Sequence, residues 1–155
     1  MPMAEPCRVL ITDSLAPQGL AVFEGEKGIA VDYQPGLKPD DVRRAIVGAD
    51  ALVVRSGTKV TAEILEAADR LKVVGRAGVG VDNVDVPSAS KRGIVVMNTP
   101  GGNNVTTAEH TLSLLLAMAR NIPQAMASLR GGKWERNKFT GVEVFNKTLG
   151  IIGVG

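Results

Sequence analysis

Residues Lys72 to Asn98, "KVVGRAGVGVDNVDVPSASKRGIVVMN", carry the reading on which the fold turns. Two β-branched runs, around Val73 and from Ile94 to Asn98, enclose a glycine-rich turn and a short segment with Pro87 near its start. A buried strand, a turn, a short helix and a second buried strand follow from that pattern, since Pro suits the first turn of a helix and Val and Ile suit a pleated, covered surface. Such a unit joins two neighbouring strands in parallel.

The same rhythm runs backward to the beginning of the chain. "RVLITD" (Arg8 to Asp13) reads as a first strand, and Pro17 opens a short helix that ends in glycines. "IAVDYQPG" reads as a strand closed by a Pro-Gly turn. Pro39, the acids Asp40 and Asp41, and Gly48 mark both ends of a second helix. "ALVVRSG" is the third strand, and "VTAEILEAADRL" is a helix capped by Thr61 with Ile64, Leu65 and Ala68 on one face. Five strands with intervening helices predict an α/β domain with a flavodoxin-like or Rossmann-like parallel sheet over residues 1–98.

Beyond Asn98 the texture changes. "TPGGNNVTTAEHTLSLLLAMARNI" is a polar loop running into a long apolar helix, with Thr106 as capping residue and Glu109 completing a capping box. A more polar helix, "PQAMASLRGG", leads to a loop with the only Trp, and "TLGIIGVG" (Thr148 to Gly155) reads as a buried strand entering a glycine turn. Met118 and Met126 read as core filling.

Composition narrows the function classes. The 155 residues are 45% hydrophobic and 22% charged with a net charge of +2, and the charges are interleaved. This is the balance of an ordinary globular chain without an electrostatic footprint for nucleic acid. One cysteine, Cys7, allows no internal disulfide and points to a reduced, intracellular setting. No leader or membrane span is read anywhere, and no metal-ligand cluster or nucleophile–histidine arrangement is legible.

Ligands of parallel α/β sheets bind beyond the carboxyl ends of the strands. There, Arg55 and Ser56 leave the third strand with a planar cation and a hydroxyl, suited to a carboxylate or phosphate, although a surface arginine in a turn explains them equally well. Arg76, Gly78 and Val79 follow the fourth strand, where Gly78 and Gly80 let backbone N–H groups face an anion; a plain connection with Asp82 or Asp85 as cap is the alternative. These glycines do not complete G-x-G-x-x-G, because position 83 is Asn. Asn103, Asn104, Thr106 and Thr107 surround the start of the long helix, a natural anion site. His110, the only histidine, lies inside that helix and reads as structural. Gly153 and Gly155 are the first two glycines of a dinucleotide turn.

Taken in order, "VVRSGTKVTAEIL", "GRAGVGVDNVD", "VMNTPGGN", "TTAEHTLSLLLAMARNIPQA", "GKWER" and "KTLGIIGVG" resemble the D-2-hydroxyacid dehydrogenase family, in its branch that acts on 3-phosphoglycerate. The resemblance spans nearly the whole chain. It implies a substrate-binding domain over residues 1–98, then crossover helices and the first strand of an NAD-binding Rossmann domain over 99–155, cut within the cofactor motif. It implies substrate contacts at Arg55, Ser56, Arg76, Gly78, Val79 and Asn103, and cofactor contacts at Val79, Thr107, Gly153 and Gly155. The catalytic arginine, glutamate and histidine of the family lie later than this sequence, so no catalytic residue is assigned and His110 is not that histidine. A cytoplasmic homo-oligomer using NAD, without nucleic-acid or membrane partners, is the expectation, with the present chain inactive by itself. A relative acting on glyoxylate or hydroxypyruvate, and a non-catalytic α/β binding module, remain as alternatives.

Overall fold

The computed structural model describes residues 5–153 and divides them into two compact units, meeting between Gly102 and Asn103. The first unit contains a five-stranded, all-parallel sheet in the order β2-β1-β3-β4-β5. Its strands are β1 (Cys7–Ile11), β2 (Ile29–Tyr33), β3 (Ala51–Val54), β4 (Val73–Arg76) and β5 (Val95–Asn98). Between them lie α1 (Pro17–Glu24), α2 (Pro39–Ala45), α3 (Ala62–Ala67) and α4 (Val86–Lys91). This strand order is the flavodoxin-like one, whose direction of winding reverses between β1 and β3.

Local signals explain most of these elements. Pro17, Pro39 and Pro87 each sit in the first turn of a helix, where the missing N–H costs nothing. Asp85 caps α4, accepting from the Ser88 N–H at 3.0 Å and the Ser88 hydroxyl at 2.8 Å. Gly48, with φ 74°, turns the chain after α2 into β3 as only glycine does readily. Thr61 precedes α3 as expected, but its side chain makes no capping bond.

The core forms on the sheet face where α2 contacts α3 and α3 contacts α4. Leu10, Leu52, Val54 and Val74 point into it and meet Val42, Ile46, Ile64 and Leu65. Each leucine fully buried this way contributes on the order of 2 kcal/mol. The opposite face is graded. Val9 and Ile11 of β1 are buried, their register neighbours on β3 and β4 are half-buried, and Val95 and Met97 of β5 are 57% and 58% exposed.

The second unit is helical. α5 (Asn104–Ala119) is followed by Asn121 in a left-handed conformation, by α6 (Ile122–Arg130), and by a 3-10 turn over Arg136–Phe139. Gly141 lies against the end of α5 so tightly that a Cβ would sit 2.5 Å from the Ala119 carbonyl oxygen, while the Val142 N–H donates to that same oxygen at 2.8 Å.

Three expectations fail in this unit. Thr106 is not the cap of α5, because the helix already begins at Asn104 and its Asn103 carbonyl accepts from the Thr107 N–H. Met118 and Met126 are 77% and 48% exposed rather than core, since neither α5 nor α6 buries a residue. The strand read at the end of the sequence is not formed over residues 148–153. Among the described residues of this unit no strand is present to satisfy its backbone groups, and Ile152 is fully exposed.

Candidate functional site

The carboxyl edge of the sheet gathers the turns that follow β1, β3 and β4, beside the point where the winding reverses. Asp13, just past β1, is buried there. Its Oδ2 accepts from the N–H groups of Arg55 at 2.6 Å, Gly57 at 3.2 Å and Thr58 at 3.1 Å, and its Oδ1 accepts from the Thr58 hydroxyl at 2.9 Å. The Thr12 hydroxyl shares a hydrogen with that of Thr58 at 2.9 Å. Burial opposes ionisation of Asp13, but the bonds from Arg55, Thr58 and Gly57 outweigh it and hold the carboxyl below the ordinary aspartate range.

Gly57 is small for a reason of space. A Cβ there would stand 2.7 Å from Asp13 Oδ1 and would push the carboxylate out of its place. The turn so held presents Arg55 and Ser56 to solvent, with Arg55 Nη1 donating to the Ser14 carbonyl at 3.2 Å.

A second side chain ties this turn to the one after β4. Asn83 Nδ2 donates to the carbonyls of Arg55 and Thr58, both at 2.7 Å. The backbone continues the tie, with the Val60 N–H on the Asn83 carbonyl at 2.8 Å and the Asp85 N–H on the Val60 carbonyl at 2.9 Å.

The turn after β4 is itself anchored to β5. Asn98 Nδ2 donates to the Val79 carbonyl at 2.6 Å, and the Thr99 N–H to the Gly78 carbonyl at 3.0 Å. The Gly78 N–H is engaged by the Arg76 carbonyl at 2.8 Å, whereas among the described residues the N–H of Val79, itself an exposed residue, meets no protein acceptor. The Arg76 guanidinium folds over Gly78 and occupies the space a Cβ would need, and its buried Nε has no partner. One cation, one open N–H and the Arg55–Ser56 pair therefore share one edge of the sheet, an arrangement suited to an anionic carboxylate or phosphate.

Of the residues singled out from sequence, Arg55, Ser56, Arg76, Gly78 and Val79 come together on this edge. Asn103 and Thr107 belong to the second unit, at the first turn of α5, and both are exposed. Gly153 has φ 83°, the left-handed geometry that a glycine turn uses, and Gly155 lies outside the described residues. His110 is exposed on α5, and no group of three or more potential metal ligands occurs among the described residues. Sequence reasoning passed over Thr58 and Asn83 and gave Asp13 no part in the site. The usable signal for Asp13 was its position, a carboxylate directly after the first buried strand and next to the reversal of winding.

Residues 9–148 match the profile of the family described as D-isomer specific 2-hydroxyacid dehydrogenase, catalytic domain. The D-3-phosphoglycerate dehydrogenase of Methanocaldococcus jannaschii is 50% identical over 148 residues, covering 96% of this chain and 28% of that protein. The chain therefore spans little more than a quarter of the length of that curated relative. Among solved structures, a protein of Thermus thermophilus superposes with a TM-score of 0.81 at 34% identity, over 88% of this chain and 45% of that one. An NAD+-bound 3-phosphoglycerate dehydrogenase of Entamoeba histolytica gives 0.68 at 30% identity, over 74% and 40%.

Proposed function

The chain belongs to the D-isomer specific 2-hydroxyacid dehydrogenase family, and from that premise we propose that its first unit is the acid-binding part of an NAD-dependent dehydrogenase that oxidises 3-phosphoglycerate to 3-phosphohydroxypyruvate, an entry step to serine. The observation that carries this reading is the joining, through Asn83, of the Arg55–Ser56 turn to the turn that leaves the Val79 N–H open. In this proposal the Val79 N–H and the Arg55 guanidinium take the substrate carboxylate, the Ser56 hydroxyl adds a hydrogen bond, and Arg76 faces the phosphate. Gly78 serves by leaving room for Arg76. Asn103 is assigned to the substrate, and Thr107, Val79, Gly153 and Gly155 to the cofactor, on the family resemblance.

NAD, when bound, accepts the hydride leaving C2 of the hydroxy acid. The left-handed turn at Gly153 fits the opening of a dinucleotide loop. Within the described residues the chain's own work is to hold and orient the acid, which accounts for several kcal/mol of a barrier but moves no proton. Its one histidine, exposed on α5, is given no such role. Dehydrogenase turnover by these residues alone is accordingly not expected.

We further place the protein in the cytoplasm as a homo-oligomer. Among the described residues no helix is long and apolar enough to cross a membrane. Leu112, Leu114, Leu116 and Met118 of α5 and Met126 and Leu129 of α6 stand exposed, which favours association with further protein surface.

Titration of the chain with 3-phosphoglycerate, read by the backbone amide signals of Ser56, Gly78 and Val79, tests the substrate reading. Shifts at these three residues with 3-phosphoglycerate, and weaker ones with glycerate or glyoxylate, are expected. Equal response to the unphosphorylated acids would move the assignment to the glyoxylate or hydroxypyruvate branch, and no response at all would favour a non-catalytic module.

A further inference from the structure

The Arg55–Thr58 turn contributes no strand or helix hydrogen bonds of its own, yet three of its N–H groups and two of its carbonyls are satisfied by just two side chains from distant parts of the sequence. Asp13 takes the N–H groups of Arg55, Gly57 and Thr58 from below, and Asn83 gives both of its amide hydrogens to the carbonyls of Arg55 and Thr58. Arg55 is the pivot, since its N–H is held by Asp13 and its carbonyl by Asn83. Both backbone ends of the residue whose side chain faces the ligand are thus fixed, and the direction in which that side chain leaves the sheet is fixed with them.

We propose that Asp13 and Asn83 are positioning residues for substrate binding, setting the orientation of Arg55 and Ser56 against the Val79 N–H without touching the substrate themselves. The inference rests on the acid-binding role proposed above. A polar clamp of this kind suits a ligand site better than a hydrophobic one would, because it constrains direction as well as distance. Asn83 also makes the clamp a link between two turns. It belongs to the segment that begins at Gly78, so a displacement of either turn loads the same two hydrogen bonds. Its Oδ1 is buried without a partner, so the side chain is held by its donors alone and the contact is directional.

The test uses the 155-residue chain with Asn83→Ala, Asp13→Asn and, as control, Lys59→Ala at an exposed position nearby. Hydrogen exchange of individual amides and affinity for 3-phosphoglycerate are both measured. Loss of the two bonds from Asn83 is expected to speed exchange at Gly57 and Thr58 by about tenfold and to weaken affinity by a similar factor. Exchange at Leu52 and Val74 in the core should not change, and Lys59→Ala should match the wild type in both measurements.

Faster exchange in the turn with unchanged affinity would overturn the positioning role and leave a structural one. Unchanged exchange would overturn the clamp itself. Should both variants fail to fold, the two side chains serve the fold and the proposal falls. Absence of 3-phosphoglycerate binding by the wild type would instead sink the substrate reading, and with it this inference, through a separate measurement.

Discussion

The two units of this chain handle apolar surface in opposite ways. In residues 5–102, Leu10 of β1, Leu52 and Val54 of β3 and Val74 of β4 vanish beneath α2, α3 and α4. In residues 103–153 no helical residue is buried, and Trp134, Met118 and Phe145 are each more than three-quarters exposed. The difference is one of closure rather than of composition. A parallel sheet offers a broad flat face on which three short helices complete a core, whereas two consecutive helices meet along one line and leave their remaining apolar faces open.

The largest effect expected from this contrast is separability. Residues 1–102 made alone should keep a cooperative thermal transition by circular dichroism, and residues 103–155 made alone should show none. A sharp transition in the helical piece would break the comparison outright.

Single substitutions should sharpen it. Leu52→Ala, at a position with no exposure, should cost about 3 kcal/mol in urea unfolding. Leu114→Ala, at a position 58% exposed, should cost less than about 0.5 kcal/mol.

Asp13→Asn probes the polar interior of the first unit and should cost about 2 kcal/mol at neutral pH, in the range for hydrogen bonds to a charged group. Because folding lowers the Asp13 pKa, the stabilisation is fully present above the ordinary aspartate value and is lost as pH falls through the lowered folded value. Wild type and Asp13→Asn should therefore converge in stability as the solution is acidified below pH about 4. A gap that stays constant through that range would show that packing, not charge, sets the cost. The smallest effect belongs to His110→Gln, expected within about 0.5 kcal/mol of wild type since the ring is exposed.

Much of the first unit was legible in the chain because its signals are local. Pro17, Pro39 and Pro87 start helices where the sequence places them, and β-branched runs become strands, with β3 ending at Val54, three residues before the end of the stretch read for it. The candidate site was legible through one rule about parallel sheets, which directs attention to Arg55, Ser56, Arg76, Gly78 and Val79 before any contact is known. In the second unit the same local signals failed. Thr106 and Glu109 spell a capping box inside a helix that had already begun, and "TLGII" has strand composition without a strand to pair with. A capping motif and a β-branched run are offers, and they are taken up only where neighbouring backbone needs them.

By itself the sequence determined the alternation of strands and helices, the parallel sheet that follows from it, the residues at the strand ends and the family the chain resembles. All of these depend on neighbours a few positions apart or on the order of motifs. Tertiary structure alone decided that β3 lies between β1 and β4, which brings Asp13 to Arg55 across 42 positions and Asn83 to the same residue across 28. Hydrogen bonds between segments so far apart leave no periodicity and no local pattern to read. They exist because the sheet sets the carboxyl ends of β1, β3 and β4 side by side, with β3 between the other two, and a turn outside the ladder must find partners for its backbone groups wherever the fold supplies them.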